Sequence, residues 1–219
     1  MQGIVYKDQV VPASIDVVDG RTQNTWWDPK THPKNIRVRK EAIRAGIIHH
    51  QAGEGDAKAV YNVLSKRESG EGKVVYLSVH FEIDQKGTIT QLCDLAHCAQ
   101  HAGDANEWTW GVEIANLGTG KASKNHPRNF YVDHMHGRSM GFLAFYDEQK
   151  CAARNLCREV HKLLGLPLDI PKGPNGKSVR GVLTDEELGT WKGILAHYMI
   201  TTRKIDPSPD MMDYLVSFL

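Results

Sequence analysis

The feature that most constrains the fold is residues 46–50, Gly-Ile-Ile-His-His, an apolar run that ends in two histidines and meets a glycine-rich stretch. This pattern is typical of a buried strand that stops at a loop and places its last side chains there. Near the other end of the chain, residues 194–196 form a second apolar run that ends at His197, with Lys204 and Asp206 close behind. Surface histidines at two strand ends are the alternative. Together the runs favour a sheet that brings both ends of the chain to one edge.

Composition limits the classes of protein to which the chain can belong. Its 219 residues and 41% hydrophobic content suffice for one core, and no repeat or linker indicates a second domain. The formal net charge of +1 lacks the basic excess of a non-specific nucleic-acid binder. Neither an apolar run of about 18 residues nor a secretory signal at residues 1–7 is recognisable. We therefore expect one monomeric domain over residues 1–219, without nucleic-acid partner or stable membrane insertion.

Apolar periodicity along the chain predicts strands and helices around one core. The expected strands cover residues 42–49, 74–83, 88–92, 110–115 and 194–200. The expected helices cover residues 57–66, 146–164 and 211–219, with a short helical turn after Thr184. Residues 1–40 are expected to be an extended lead-in packed on the domain. The pattern predicts an α/β fold, a single domain with a mixed central β-sheet flanked by α-helices.

A carboxylate stands in the middle of the predicted strand 110–115, at Glu113. An ionised side chain inside a buried strand is costly unless it is paired or useful. Glu113 is therefore a candidate for proton transfer.

The cysteines are the other candidates for metal binding. They occur as two local pairs, Cys93 with Cys98 and Cys151 with Cys157. The first pair encloses His97, but its spacing is poor for a structural zinc site and no second pair follows at a matching distance. We interpret all four as reduced, partly buried thiols, which agrees with synthesis in a reducing compartment.

His49, His197 and Asp206 are residue types that bind zinc in hydrolytic sites, where three protein ligands leave a fourth position to water. Such an ion activates the water and polarises a carbonyl. Catalysis also needs a base for the water's proton and a cation near the developing oxyanion, and Glu113 and Lys204 have the right chemistry for these tasks. Spacing alone makes this constellation only a hypothesis.

Short motifs in a fixed order strengthen the hypothesis. The chain resembles the zinc-dependent N-acetylmuramoyl-L-alanine amidases, a fold shared with peptidoglycan recognition proteins, in the segments 47–50, 78–89, 101–103, 111–114, 146–149 and 204–207. No single motif is decisive, but their order and spacing match the family across roughly residues 44–214. The resemblance implies a hydrolase that cleaves the amide between N-acetylmuramic acid and L-alanine in peptidoglycan.

The resemblance also assigns roles to residues. It implies that His49 rather than His50, together with His197 and Asp206, are the zinc ligands, the third being cysteine in some relatives. His101 matches a histidine that lines the substrate groove, and Asn106 matches a residue that flanks it.

Val79 stands where many phage members have a catalytic tyrosine. In members of the cell-wall recycling type, which also lack that tyrosine, a glutamate matching Glu113 is the base. Lys204 matches the family's lysine.

Three settings remain open at the level of sequence. A phage endolysin, held in the host cytoplasm until it reaches the cell wall at lysis, is the preferred interpretation. A cytosolic amidase that acts on anhydro-muropeptides in cell-wall recycling and a non-catalytic peptidoglycan-binding module are the alternatives. The segment 118–145 exceeds the family's usual connection and has no assigned role. Its residues 133–136, Asp-His-Met-His, are interpreted as a surface loop, with metal binding as the alternative.

Overall fold

The computed structural model describes residues 3–68, 72–118 and 125–218. The strands within these ranges are β1 (Gly3–Tyr6), β2 (Gln9–Pro12), β3 (Val17–Asp19), β4 (Ile36–Val38), β5 (Ala45–His50), β6 (Arg67–Glu68), β7 (Val74–Val75), β8 (Phe81–Ile83), β9 (Ile89–Gln91), β10 (His97–Ala99), β11 (Thr109–Ile114), β12 (Phe130–Met135), β13 (Arg138–Leu143) and β14 (Gly193–Ala196). The α-helices are α1 (Ala57–Ser65), α2 (Asp147–Leu164), α3 (Asp185–Thr190) and α4 (Pro209–Val216).

A six-stranded sheet in the order β14-β5-β11-β8-β9-β3 forms the centre of the fold. Strands β14, β5, β11 and β8 are parallel to one another, whereas β9 is antiparallel to β8. The predicted mixed central sheet flanked by helices is therefore confirmed. Because parallel strands end at the same edge, the carboxyl ends of β14, β5 and β11 lie side by side.

Apolar side chains on the central sheet and on α2 share one core. Strand β5 is buried over its whole length, as expected for a parallel strand covered on both faces. Helix α2 adds Ala153, Leu156 and Val160, all fully buried, to the same cluster. Burial of each large apolar side chain contributes roughly 1.5–3 kcal/mol. Within the described residues, none of the helices has the length and apolar character needed to cross a bilayer.

Helix ends follow the capping signals in the sequence. The Asp56 carboxylate accepts a hydrogen bond from the Ala59 backbone N–H at 3.0 Å, which satisfies an unpaired donor in the first turn of α1. Gly165 ends α2 with φ at 65°, a left-handed conformation that glycine adopts without strain. The predicted helix starts and stops at these positions are confirmed.

Two predicted strands are wrong in extent. Residues 74–83 form the separate strands β7 and β8, because the N–H groups of Leu77 and Ser78 bond to carbonyls of two different segments, at Leu64 and Gln100. The last strand stops at Ala196 rather than at residue 200, since residues 197–199 turn into a short 3-10 helix.

The amino-terminal region and the unassigned segment are more ordered than the sequence predicts. Strand β3 forms an edge of the central sheet by pairing with β9, so residues 1–40 contribute to the sheet as well as packing on it. Within 118–145, β12 and β13 form an antiparallel hairpin. Its turn has positive φ at His136 (51°) and Gly137 (72°), as a tight hairpin turn requires. Residues 133–136 are thus mostly strand rather than loop, and residues 119–124 lie outside the described residues.

Candidate metal centre

A row of polar side chains crosses the carboxyl ends of the parallel strands. His49 in β5 pairs with Glu113 in β11, which pairs with Glu82 in β8. In β14, Ala196 pairs with Ile48 of β5, so His197 and His49 are the residues that directly follow this pair. Paired residues of adjacent strands point to the same face of a sheet. Two imidazoles and two carboxyl groups therefore form one line, which we call the polar row.

Three side-chain atoms converge at one end of this row. His49 Nδ1 lies 2.8 Å from His197 Nδ1 and 3.1 Å from Asp206 Oδ2, and His197 Nδ1 lies 3.1 Å from the same carboxylate oxygen. All three residues are buried. Of the described residues, these form the cluster whose ligand atoms are close enough to share a metal ion.

The protonation states of the cluster suit a cation. Burial, with the neighbouring His197, lowers the pKa of His49 to about 4, so its imidazole is neutral at pH 7. Burial alone would raise the pKa of Asp206, but hydrogen bonds and charge from the two histidines hold it well below its ordinary value. The neutral imidazole of His49 and the carboxylate of Asp206 then present lone pairs to one point, which His197 Nδ1 also approaches. A divalent ion at that point can bind all three atoms.

The separations of the three atoms also fit zinc. Bond lengths near 2.0–2.2 Å in a tetrahedral site place ligand atoms about 3.3 Å apart. The observed 2.8–3.1 Å requires an opening of only a few tenths of an ångström. The sequence prediction of His49, His197 and Asp206 as a convergent set thus matches their placement, while zinc binding itself stays a prediction.

His101 orients the first of these histidines. Its Nδ1 lies 2.9 Å from His49 Nε2, a contact that fixes one ring nitrogen of His49 and leaves Nδ1 for a metal. Gly111 makes room for this ring, since a Cβ there would lie 2.5 Å from His101 Nδ1. His101 also lines the groove described below, and its predicted contact with substrate stays a prediction.

Asn106 lies behind the groove rather than along it. Its Oδ1 accepts hydrogen bonds from the backbone N–H groups of His101 (2.8 Å) and Ala102 (2.6 Å), and its Nδ2 donates to the side chain of Gln100. These contacts place Asn106 as a support for His101. Its predicted contact with substrate stays a prediction.

Glu113 lies beside the cluster with an unsatisfied carboxylate. Its Oε2 is buried and has no hydrogen-bond partner among the described residues. Burial, with a smaller effect of Asp206, raises its pKa to about 8, and Lys204 and Arg67 partly oppose the shift. An unpaired buried carboxyl group is costly, so its position next to the three ligand atoms favours a chemical role.

A groove of about 660 Å³ gives access to these groups. Its walls include the apolar side chains Val60, Val63 and Leu64 of α1 and three cations, Arg67, Arg203 and Lys204. Glu113, His49, His101, His197 and Asp206 also line it. The groove can therefore admit a substrate that carries both apolar and anionic groups.

His80 and His50 are not part of the metal cluster. His80 Nδ1 accepts a hydrogen bond from the Gly111 backbone N–H at 3.1 Å, and its Nε2 lies 3.0 Å from the His97 carbonyl. This buried ring joins two strands, and its pKa is lowered to about 3, chiefly by burial. His50 is buried with its Nδ1 unpaired among the described residues.

The cysteines do not form a second centre in the described chain. All four are free, and three of them, Cys93, Cys98 and Cys157, are buried. Burial raises the pKa of the Cys93 thiol well above its usual value, so it stays protonated and is a poor metal ligand.

Glu82 is the member of the polar row that the sequence analysis did not single out. It is 1% exposed, and its Oε1 accepts a hydrogen bond from Gln51 Nε2 at 3.0 Å. Burial, with Asp84, raises its pKa to about 9. The signal that identified Glu113, a carboxylate inside an apolar run, was also present at residues 79–83.

We expect Glu82→Gln to reduce the pH dependence of stability. Between its ordinary pKa of 4.5 and its folded value of about 9, folded Glu82 keeps a proton that the unfolded chain has released, so stability falls as pH rises through this window. The amide cannot titrate. From pH 5.5 to 8.5 the parental protein should lose at least about 1 kcal/mol more unfolding free energy than the variant, measured by urea denaturation. Equal losses of unfolding free energy in the two proteins would contradict the raised pKa of Glu82.

Comparison with known proteins extends these observations. The family model described as N-acetylmuramoyl-L-alanine amidase matches residues 39–209. No curated protein sequence matches the chain.

Solved structures share the fold at low sequence identity. The N-acetylmuramoyl-L-alanine amidase LysC from Clostridium intestinale URNW is 10% identical, with a TM-score of 0.56 over 94% of this chain and 97% of that one. Drosophila peptidoglycan recognition protein SA is 14% identical, with a TM-score of 0.50 over 91% and 88% of the two chains. The amidase AmiD from E. coli is 20% identical with a TM-score of 0.47, and the match covers 77% of this chain but only 53% of AmiD. This chain thus spans about half of the AmiD chain.

Proposed function

The chain belongs to the N-acetylmuramoyl-L-alanine amidase family, and we propose that it is a zinc-dependent hydrolase that cleaves the amide between N-acetylmuramic acid and L-alanine in bacterial peptidoglycan. One observation carries the proposal: three ligand atoms lie within 3.1 Å of one another beside Glu113, whose Oε2 is buried and unpaired among the described residues. We further propose that the chain acts as a single monomeric domain.

The metal would be held by His49 Nδ1, His197 Nδ1 and Asp206 Oδ2. Zinc in such a site lowers the pKa of a water molecule and polarises the substrate carbonyl. The remaining chemistry falls to the side chains around the groove. His101 holds the ring of His49 in place through the 2.9 Å contact between their nitrogens.

Glu113 moves the proton in this mechanism. It accepts a proton from the attacking water and returns it to the departing amide nitrogen, so the C–N bond breaks to give a carboxylate and the free amino group of L-alanine. Burial makes its carboxylate a stronger base, while the nearby charges of Lys204 and Arg67 favour the ionised form that must accept the proton. Val79 is fully buried and can neither donate nor accept, so it supplies no alternative base.

Lys204 supplies positive charge at the rim of the groove. Lys204 is exposed, lies on the loop between His197 and Asp206, and lines the groove. A cation there stabilises the negative charge that develops on the carbonyl oxygen when water adds to it. Lys204 would thus act on the substrate oxygen in the same groove that the three metal ligands line.

We propose that the biological setting is a phage endolysin, which accumulates in the host cytoplasm and reaches the wall at lysis. The endolysin amidase LysCS from Clostridium intestinale URNW, 11% identical with a TM-score of 0.52 over 89% of this chain and 88% of that one, supports this as a structural analogy. A recycling amidase acting on soluble anhydro-muropeptides is the alternative, favoured by Val79 together with Glu113 and Asp206. A binding module without turnover is the candidate from a different class.

The proposal is tested by incubating the zinc-loaded protein with intact sacculi and, separately, with a soluble anhydro-muropeptide. We expect new amino-terminal alanine, detected by mass spectrometry of the released peptides, with faster release from sacculi. Faster turnover of the soluble substrate would favour the recycling role instead. Absence of free alanine amines from both substrates would reject the amidase and leave a binding module.

A further inference from the structure

The β12–β13 hairpin reaches the loop that carries Lys204. The side chain of His136, at the turn of the hairpin, lies with its Nε2 2.9 Å from the backbone carbonyl oxygen of Lys204. A carbonyl can only accept, so this nitrogen donates. The contact joins a segment without an assigned role to a residue of the proposed mechanism.

The hairpin is itself firmly held. The carboxylate of Asp133 accepts from the guanidinium of Arg180 at 3.2 Å, and the backbone N–H of His136 donates to the Arg180 carbonyl at 3.1 Å. On its other side, the Tyr131 hydroxyl donates to the carboxylate of Asp210 at 3.0 Å. These contacts fix the hairpin against Arg180 and Asp210, which lie before and after residues 201–205 in the chain.

The loop of residues 201–205 has little support of its own. Residues 202–204 are exposed. The backbone N–H of Arg203 bonds to the Thr201 hydroxyl, and the backbone N–H of Lys204 bonds to the Thr201 carbonyl. Among the described residues, the bond from His136 is the one hydrogen bond that ties this loop to another segment.

We propose that His136 is a positioning residue that sets the place of Lys204 in the groove. The inference rests on the proposed function, because Lys204 matters only if it faces the reacting carbonyl. Loss of the His136 bond frees the Lys204 peptide to rotate, which moves the ammonium away from the oxyanion. Substrate binding along the rest of the groove is unaffected, so the loss falls on kcat rather than on KM.

The hairpin offers a matched set of variants. His136→Asn removes the long donor but keeps a residue type that tolerates the positive φ of 51°. His136→Gln restores an amide N–H donor of similar reach. His134→Asn is the control, because His134 lies in the same hairpin and contacts Ser139 within it rather than the Lys204 loop.

Two measurements test the proposal. With zinc content checked, His136→Asn should lower kcat roughly tenfold with KM within about twofold, since small misplacements of a catalytic group are costly. His136→Gln should recover most of the loss, and His134→Asn should match the parental protein. In a Lys204→Met background, His136→Asn should cause no further loss, as expected for two residues that act as one unit.

Limited trypsin cleavage after Arg203 and Lys204 provides a readout that does not depend on turnover. Cleavage should accelerate in His136→Asn but not in His134→Asn, because release of the loop exposes it to the protease. Unchanged cleavage in His136→Asn would overturn the proposal. An equal fall in kcat when His136→Asn is introduced into the parental protein and into Lys204→Met would also overturn it. A parental protein without turnover would reject the proposed function, and the cleavage rates alone would then decide whether His136 holds the loop.

Discussion

Glu113→Gln is expected to lower turnover by roughly 10²–10⁴, the range for loss of a general acid–base catalyst, while zinc content and substrate affinity stay near parental values. The amide keeps the size of the side chain but cannot accept a proton. Among the described residues its surroundings hold no ready substitute, because Val79 is apolar and Glu82 lies one strand further from the ligand atoms with its Oε1 bonded to Gln51. Turnover is measured as release of amino-terminal alanine.

Glu82→Gln is the matched control for this experiment. It changes the same residue type in the same polar row, one strand further from the metal ligands. Because Glu82 lies one strand further from the ligand atoms and is bonded to Gln51, its replacement should leave turnover within about threefold, in line with a change away from the reacting atoms. Parental turnover in Glu113→Gln, or an equal loss in both variants, would mean that Glu113 is not the base.

His197→Ala is expected to abolish tight zinc binding and, with it, activity. Two remaining protein ligands rarely hold zinc against buffer, so the purified variant should contain below about a tenth of an ion per chain. His49→Ala should behave alike, because both nitrogens lie within 3.1 Å of Asp206 Oδ2. Asp206→Cys should retain metal, since a thiolate is also a zinc ligand. Elemental analysis of dialysed protein measures the content.

The double variant Cys93→Ser/Cys98→Ser tests whether the metal is instead bound by these two cysteines. Both thiols are buried away from the cluster, so we expect full zinc content and most of the activity. Stoichiometric zinc in His197→Ala, or loss of zinc from the cysteine variant, would place the metal elsewhere.

Local patterns in the sequence account for much of the fold and of the candidate site. The apolar run before His49 predicted a buried strand, and Glu113 was identified because a carboxylate inside a strand is costly. Both lie in strands, as the sequence predicted, and the structure shows that these strands are adjacent and parallel. The resemblance of short motifs supported Asp206 and added His101, and both lie against His49.

Features that depend on distant partners could not be predicted in this way. The hairpin of β12 and β13 is stabilised by Arg180 and Asp210, which lie far along the chain. The role of His136 follows from a contact with Lys204, 68 positions away. No local periodicity encodes such pairings, so they emerge only from the three-dimensional structure.

Titration of metal-free protein with zinc tests the central claim most directly. Alanine release from peptidoglycan is followed as zinc is added to chelator-treated, dialysed protein. The account predicts no release without metal and a linear rise that stops at about one zinc per chain, as expected for a single three-ligand site. The same titration of His197→Ala should give no rise. Full activity of the metal-free protein would contradict the account. A rise in the activity of His197→Ala that also stops at about one zinc per chain would contradict it as well.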